Sequence, residues 1–192
     1  MLILQILVGG GGGIGEIASL GKIDGFVHAA GIAPMIPIRY TTEEKLQTVF
    51  KVNCFAFLTI MGLLSQPKYH NTPFSAVAIS STSARVGVPG GAAYCASKGA
   101  LSASVRALAL ELSKKGIRVN AVCPSMIRTP MFERDVLGNA ACDENTLARI
   151  AARQPLGLGS AEQVANAVCF LLSDASSFIT GTDLIVDGGK LA

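Results

Sequence analysis

The chain predicts an α/β fold built on a doubly wound parallel sheet, and three observations carry that prediction. Short continuous runs of Val, Ile and Leu recur along the 192 residues, and such runs suit strands covered on both faces. Segments of helical length and pattern separate them, as crossovers between parallel strands require. The first run, Leu2 to Val8, stops at Gly9-Gly-Gly-Gly-Gly13-Ile14-Gly15. Glycines there permit a tight turn and let main-chain N–H groups approach an anion at a helix N-terminus, although a run of this composition also suits a flexible linker.

In chain order the predicted strands are Leu2 to Val8, Gly25 to Ala29, Ala76 to Ile79, Ile117 to Val122 and Asp183 to Val186. The predicted helices lie between them. The first runs from Thr42 to Leu64 with a kink or break near Gly62; the second runs from Tyr94 to Lys115; the third runs from Ala161 to Ser173, with Ser160 as N-cap and Gln163 three positions on. The Tyr94 helix is apolar or small around its whole circumference, with Leu101, Val105, Leu108 and Leu110 among its residues. A helix apolar on every side is expected to be covered on every side, the inner by the sheet and the outer by a second subunit.

Composition bounds the function. Half the residues are hydrophobic and the length fits one domain spanning residues 1–192. A net charge of +3 without a basic block excludes the usual footprint of nucleic-acid binding. The five cysteines, Cys54, Cys95, Cys123, Cys142 and Cys169, are scattered and odd in number. They read as reduced thiols of a cytoplasmic protein, with no spacing for a metal. Met1 to Val8 lacks the flanks of a secretory leader and Val52 to Ser65 is too short to span a bilayer, so no membrane role is expected.

The chemistry gathers around Tyr94 and Lys98, four residues apart and therefore on one helix face. A neighbouring cation favours a phenolate and so makes a tyrosine a usable acid or base near neutrality. Ser81, thirteen positions before the tyrosine, stands at the carboxyl end of the strand Ala76 to Ile79, where open α/β sheets place ligands. Its neighbours Ser80 and Ser83 are rivals for the same role, since adjacent strand residues face opposite ways.

With these residues in place the chain resembles the short-chain dehydrogenase/reductase family over most of residues 22–190, and within it the 3-oxoacyl-[acyl-carrier-protein] reductase-like branch. The resemblance rests on Ile23-Asp-Gly-Phe-Val-His-Ala-Ala-Gly31, Val52-Asn53, Ile79-Ser-Ser81, Tyr94 to Lys98, Arg118-Val-Asn-Ala-Val-Cys-Pro124, Thr129 and Ile185-Val-Asp-Gly-Gly189. It implies a Rossmann-like sheet and hydride exchange between NAD(H) or NADP(H) and a small carbonyl or alcohol, in a homodimer or homotetramer. By the same resemblance Tyr94 is the acid and base, Lys98 lowers its pKa and binds the nicotinamide ribose, and Ser81 holds the substrate oxygen. Asn53 holds a water that links the lysine to solvent. Gly9, Gly13, Ile14 and Gly15 cradle the pyrophosphate, while Ala30, Gly31, Pro124, Ile127 and Thr129 line the cofactor. Residues Met126 to Leu156 form a substrate lid.

The chain also departs from the family. Only Glu16 to Asp24 separates the glycines from Gly25-Phe-Val-His, where the family places a helix, two strands and another helix. About two strands are therefore missing, along with the segment that selects NAD or NADP, so cofactor preference is unreadable. Joining the first strand directly to the strand at Phe26 reverses the family's direction of travel across the sheet, and leaves Leu2 to Val8 as an apolar edge. A working polypeptide with further residues here, a natural short form and a linker-like glycine tract all remain open. Ser125 replaces the glycine usual after Pro124, and His28 and Ala29 replace two asparagines, with His28 expected to pack beside the cofactor ribose. Two rivals to the oxidoreductase stand beside it: a non-catalytic oligomeric scaffold that has lost cofactor binding, and a nucleotide-sensing module.

Overall fold

A computed structural model describes residues 3–6, 21–133, 148 and 151–192. Five strands form one parallel sheet: β1 Ile3–Ile6, β2 Ile23–His28, β3 His70–Ile79, β4 Ile117–Pro124 and β7 Asp183–Val186, in the spatial order β1-β2-β3-β4-β7. Three helical elements cross between them: α1 Glu43–Leu64, α2 Ala92–Leu112 and α3 Ala161–Leu172. Two short strands, β5 Ile127–Arg128 and β6 Gly159–Ser160, pair beside the carboxyl end of the sheet. Among the described residues the architecture is a Rossmann-like sheet about two strands short, with β1 at its edge, bonded to β2 through Ile3 to Ile6 opposite Gly25 to His28.

Period-two alternation divides the sheet into two cores. Phe26, Ala76, Ala78, Val119 and Ala121 face Phe57, Met61, Leu64, Leu101 and Val105 of α1 and α2. Val27, Val77 and Val122 face Val168 and Leu171 of α3 on the other side. The connections β2 to β3, β3 to β4 and β4 to β7 all travel in one direction, yet α1 and α2 lie on one face and α3 on the other. The crossover that contains α3 is therefore of opposite hand to the other two, an uncommon arrangement in parallel sheets.

Side-chain staples hold that crossover. Arg118 in β4 donates to Leu171 O at 2.9 Å, Ser173 O at 3.1 Å, Ser176 Oγ at 3.0 Å and Ile179 O at 3.3 Å. Asn120 donates to Ile179 O at 3.0 Å and accepts from Thr182 N–H at 3.1 Å. The Leu171 and Ser173 carbonyls at the end of α3 also accept from the Ser176 hydroxyl, so the guanidinium joins a shared cluster of donors there.

Several boundaries differ from the sequence expectation. β3 begins at His70, six residues before the expected strand, because Phe74 N–H pairs with Gly116 O and carries the ladder upstream of Ala76. The break in α1 is not at Gly62: a π-turn at Lys51–Phe55 interrupts it, and Gly62 lies within the regular helix that follows. α1 is long and apolar enough to cross a membrane by length and composition alone; its Phe57, Met61 and Leu64 are instead buried in the core. α2 is covered on one side only, with Leu101 and Val105 buried while Leu110 is 81% exposed. At α3 the capping box is present, with Ser160 Oγ accepting Gln163 N–H and the Gln163 side chain accepting Ser160 N–H.

Candidate active site

β3 delivers two serines that turn opposite ways. Ser80 Oγ donates to Lys98 O at 3.2 Å and pairs with Ser102 Oγ at 2.8 Å, which pins the strand end to α2. Ser81 is extended, with φ −166° and ψ 155°, and its Oγ accepts Ser83 N–H at 3.0 Å. One lone pair is thus committed and the hydroxyl proton is left to donate. That hydroxyl lies close enough to Tyr94 to favour its phenolate.

Tyr94 and Lys98 lie one turn apart on α2, with Lys98 Nζ 5.9 Å from the centroid of the phenol ring. Nζ is buried and donates to Ile79 O at 2.7 Å. It has no ion pair among the described residues, so burial brings its pKa from 10.5 down to about 8. Burial raises the pKa of Tyr94, and the Ser81 hydroxyl opposes the rise. Desolvation by burial is the largest influence on this phenol and sets the direction of its shift. At neutral pH the phenol keeps its proton and stands ready as an acid.

Asn53 sits behind these groups, in the π-turn of α1. Its Oδ1 accepts Ile32 N–H at 2.8 Å, and its Nδ2 donates to Ile32 O at 2.9 Å and to Ser97 Oγ at 2.9 Å. Ser97 Oγ in turn donates to Tyr94 O at 2.8 Å. The amide therefore ties the loop after β2 to the helix that carries Tyr94 and Lys98, with the second lone pair of Oδ1 still able to accept. π-turns gather at functional positions because they reset the register of the residues they carry.

Gly31 completes the constellation. A Cβ at Gly31 would lie 3.4 Å from Lys98 Nζ and 3.6 Å from Asn53 Oδ1, so its absence keeps the ammonium approachable. The cleft in front has a volume of about 840 Å³ and is lined by Ser81, Tyr94, Lys98, Gly31, Pro124, Ile127 and Thr129. Ala30 is buried and is not part of the lining; Ala29 and Gly31 take that place. Thr129 also caps the single turn Pro130–Phe132, where its Oγ1 accepts Phe132 N–H at 3.2 Å. Gly9, Gly13, Ile14 and Gly15 lie outside the described residues.

His28 corrects another expectation. It points to the α1 side of the sheet, fully buried, with ring centroids 6.3 Å from Phe26 and 5.6 Å from Phe57. It does not line the cleft. Burial, with the Lys98 charge adding to it, lowers its pKa from 6.5 to about 4.

The sequence reading did not single out Gln154. It is buried, accepts Met126 N–H at 2.6 Å and donates to Met126 O at 3.1 Å and Gly157 O at 2.7 Å. A lone glutamine in a polar stretch carries no sequence signal for such a clasp.

The residues fit the nicotinamide half of a dinucleotide. Lys98 is a buried, unpaired cation with two N–H donors beyond its bond to Ile79, and it lies in a cleft kept open by Gly31. Such a donor set suits vicinal hydroxyls.

Residues 16–190 match the family model described as Enoyl-(Acyl carrier protein) reductase. The chain is 38% identical over 184 residues to a protein of Xanthobacter autotrophicus named inactive 2-(S)-hydroxypropyl-CoM dehydrogenase 2, covering 93% of this chain and 77% of that one. It is 36% identical over 179 residues to a cyclopentanol dehydrogenase of Comamonas sp., covering 92% of this chain and 69% of the relative. The solved structure of 4-hydroxyisoleucine dehydrogenase complexed with NADH superposes with a TM-score of 0.80 at 29% identity, over 88% of this chain and 69% of that one. Sheet, cleft and these likenesses together assign the chain to the short-chain dehydrogenase/reductase family of NAD(P)-linked oxidoreductases.

Proposed function

We propose that the chain interconverts a ketone and a secondary alcohol, with Tyr94 as the proton donor and acceptor. The observation that carries this reading is the convergence of Ser81, Tyr94 and Lys98 on one cleft, with the phenol protonated. NAD(P)H, when bound, supplies the hydride, and its oxidised form accepts one. In reduction Tyr94 gives its proton to the carbonyl oxygen as the carbon gains the hydride; in oxidation the phenolate takes the alcohol proton. Ser81 donates to the same oxygen and stabilises its developing charge. Lys98 holds the ribose hydroxyls, and its charge favours the phenolate left behind by reduction. Asn53 sets the position of both by joining Ile32 to Ser97. The narrower assignment to 3-oxoacyl thioesters rests on sequence resemblance.

The outer face fits self-association. Phe55 of α1 is 50% exposed and Leu110 of α2 is 81% exposed, a level of apolar exposure that an oligomer contact covers. A homodimer or homotetramer through this face is part of the same proposal.

The test is titration of NADH and of NADPH against the folded protein of verified mass, read by nicotinamide fluorescence, followed by turnover of the Tyr94→Phe variant. Saturable binding of either cofactor and a loss of kcat of about 10²- to 10⁴-fold in the variant are expected. A folded chain that binds neither is the non-catalytic scaffold instead. One that binds but turns over no carbonyl is a nucleotide sensor.

A further inference from the structure

The described walls of the cleft are mainly apolar. Ser81 and Tyr94 supply the polar floor, the hydroxyls of Ser83, Ser125 and Thr129 also lie on the lining, and Met35 and Val88 close over the start of α2. A Cβ placed on Gly91 would lie 3.2 Å from Val88 Cβ and 3.5 Å from Met35 Sδ, so both side chains crowd the residue that precedes this helix. Ile36 N–H donates to Gly90 O at 2.7 Å and stitches their two loops together. The segment after β4 adds Met126, Met131 and the buried Phe132.

Charge on the lining is confined to Lys98 and Lys190 among the described residues. Lys98 is engaged by Ile79 O and stands with Tyr94 at the reacting end. Lys190 makes no ion pair among the described residues; burial and the Arg153 charge lower its pKa, and the Asp187 carboxylate opposes them. A carboxylate or sulfonate set among Met35, Val88 and Met131 would give up its water to side chains that offer no cation in return. The extra hydroxyls of a polyol would be stripped of water against thioethers and methyls, at a cost for each one left unpaired.

Resting on the oxidoreductase reading above, we propose that the substrate is an uncharged, apolar ketone or its secondary alcohol, a cyclic or unbranched aliphatic body packed on Met35, Val88 and Met131. Its oxygen lies at Ser81 and Tyr94. Two methionines in the wall give a surface that reshapes around its ligand, so selectivity is graded by apolar area rather than tuned to one shape. Each added methylene raises kcat/KM about fourfold until the cleft is full.

The test measures kcat/KM of the full chain, with NAD⁺ and with NADP⁺, for the 2-alkanols from 2-butanol to 2-octanol, cyclohexanol, xylitol and 3-hydroxybutyrate. The 2-alkanol series is expected to climb about fourfold per methylene, with xylitol and 3-hydroxybutyrate about a hundredfold below the alkanol of similar size. Met35→Lys, at a position 45% exposed and so tolerant of change, is expected to flatten the series. A higher kcat/KM for xylitol or 3-hydroxybutyrate overturns the proposal.

Saturation-transfer NMR with cyclohexanone, xylitol and 3-oxobutyrate reads the same preference without hydride transfer. If no alcohol turns over with either cofactor, the catalytic reading falls and this binding comparison alone decides the ligand class. Cyclohexanone binding weakened by Met35→Lys supports it. Absent cyclohexanone binding, or tighter binding of xylitol or 3-oxobutyrate, overturns it.

Discussion

Replacing Lys98 by methionine is expected to make the protein more stable at neutral pH while removing its chemistry. The ammonium is buried, and its pKa falls from 10.5 to about 8. A displacement of that size corresponds to about 3 kcal/mol between the charged and neutral forms. The sign follows from proton counts: between pH 8 and 10.5 the unfolded chain holds a proton on this amine that the folded chain does not. Stability therefore rises with pH across that window, and at pH 7 the folded state carries the full cost of the buried charge. Methionine matches the length of the lysine stem and needs no solvation. Against this gain stands the loss of the bond to Ile79 O at 2.7 Å, worth about 1 kcal/mol net. Lys98→Met is thus expected to gain about 2 kcal/mol at pH 7, with the gain disappearing by pH 10.5. Urea denaturation of both proteins at intervals from pH 7 to 10.5 measures the difference. A methionine variant less stable than the parent at pH 7, or a difference that does not change with pH, would refute the account of Lys98 as an unpaired buried cation.

Asn53→Leu removes both bonds to Ile32 and leaves its N–H and C=O unpaired, a loss of about 2–6 kcal/mol that differential scanning calorimetry should show as a fall in Tm of about 10 °C; a fall under about 2 °C would show that water replaces the amide. Ser80→Ala and Ser81→Ala should separate the two hydroxyls. The first loses about 1 kcal/mol of stability with little change in kcat, the second loses kcat with little change in stability, and the reverse pattern contradicts the strand register. His28, with a pKa of about 4, is neutral in the fold but charges at 6.5 when unfolded, so stability should drop as pH falls from 6.5 to 4. His28→Phe should abolish that part of the acid loss, and an unchanged acid profile in urea melts would count against it.

Much of the fold was legible because alternation is a strong signal. Val27, Val77 and Val122 on one face and Phe26, Ala76 and Ala121 on the other follow the period of two that the runs of β-branched residues announce. The same rule could have placed His28, which shares its face with Phe26 and so turns from the cleft; family position argued for the ribose and was overruled by strand geometry. In the same motif Ala30 is buried, while Ala29 and Gly31 line the cleft. Ser81, Tyr94 and Lys98 were brought together as their spacing implied. The protonation of Tyr94 was hidden because desolvation depends on what packs over the ring, which spacing does not encode. The π-turn at Lys51–Phe55 left no trace either: it contains neither Pro nor Gly, whereas Gly62 attracted the prediction of a break and lies in regular helix. The early start of β3 was concealed by His70-Asn-Thr-Pro73, residues of turn composition recruited into a strand by their neighbours.

The Gln154 clasp gives the region beside the cleft a modular character. Gln154 grips Met126 through both main-chain groups, and β5 pairs with β6 just beyond it. The chain that leaves at Met126 and returns at Gln154 is therefore anchored at its two feet. Loop-closure entropy grows only slowly with length once such feet are fixed. The clasp fixes where those two feet stand beside the carboxyl end of the parallel sheet. Diversification of ligand choice can then proceed by swapping one cassette, and chimeras cut at Met126 and Gln154 are the natural units for redesign.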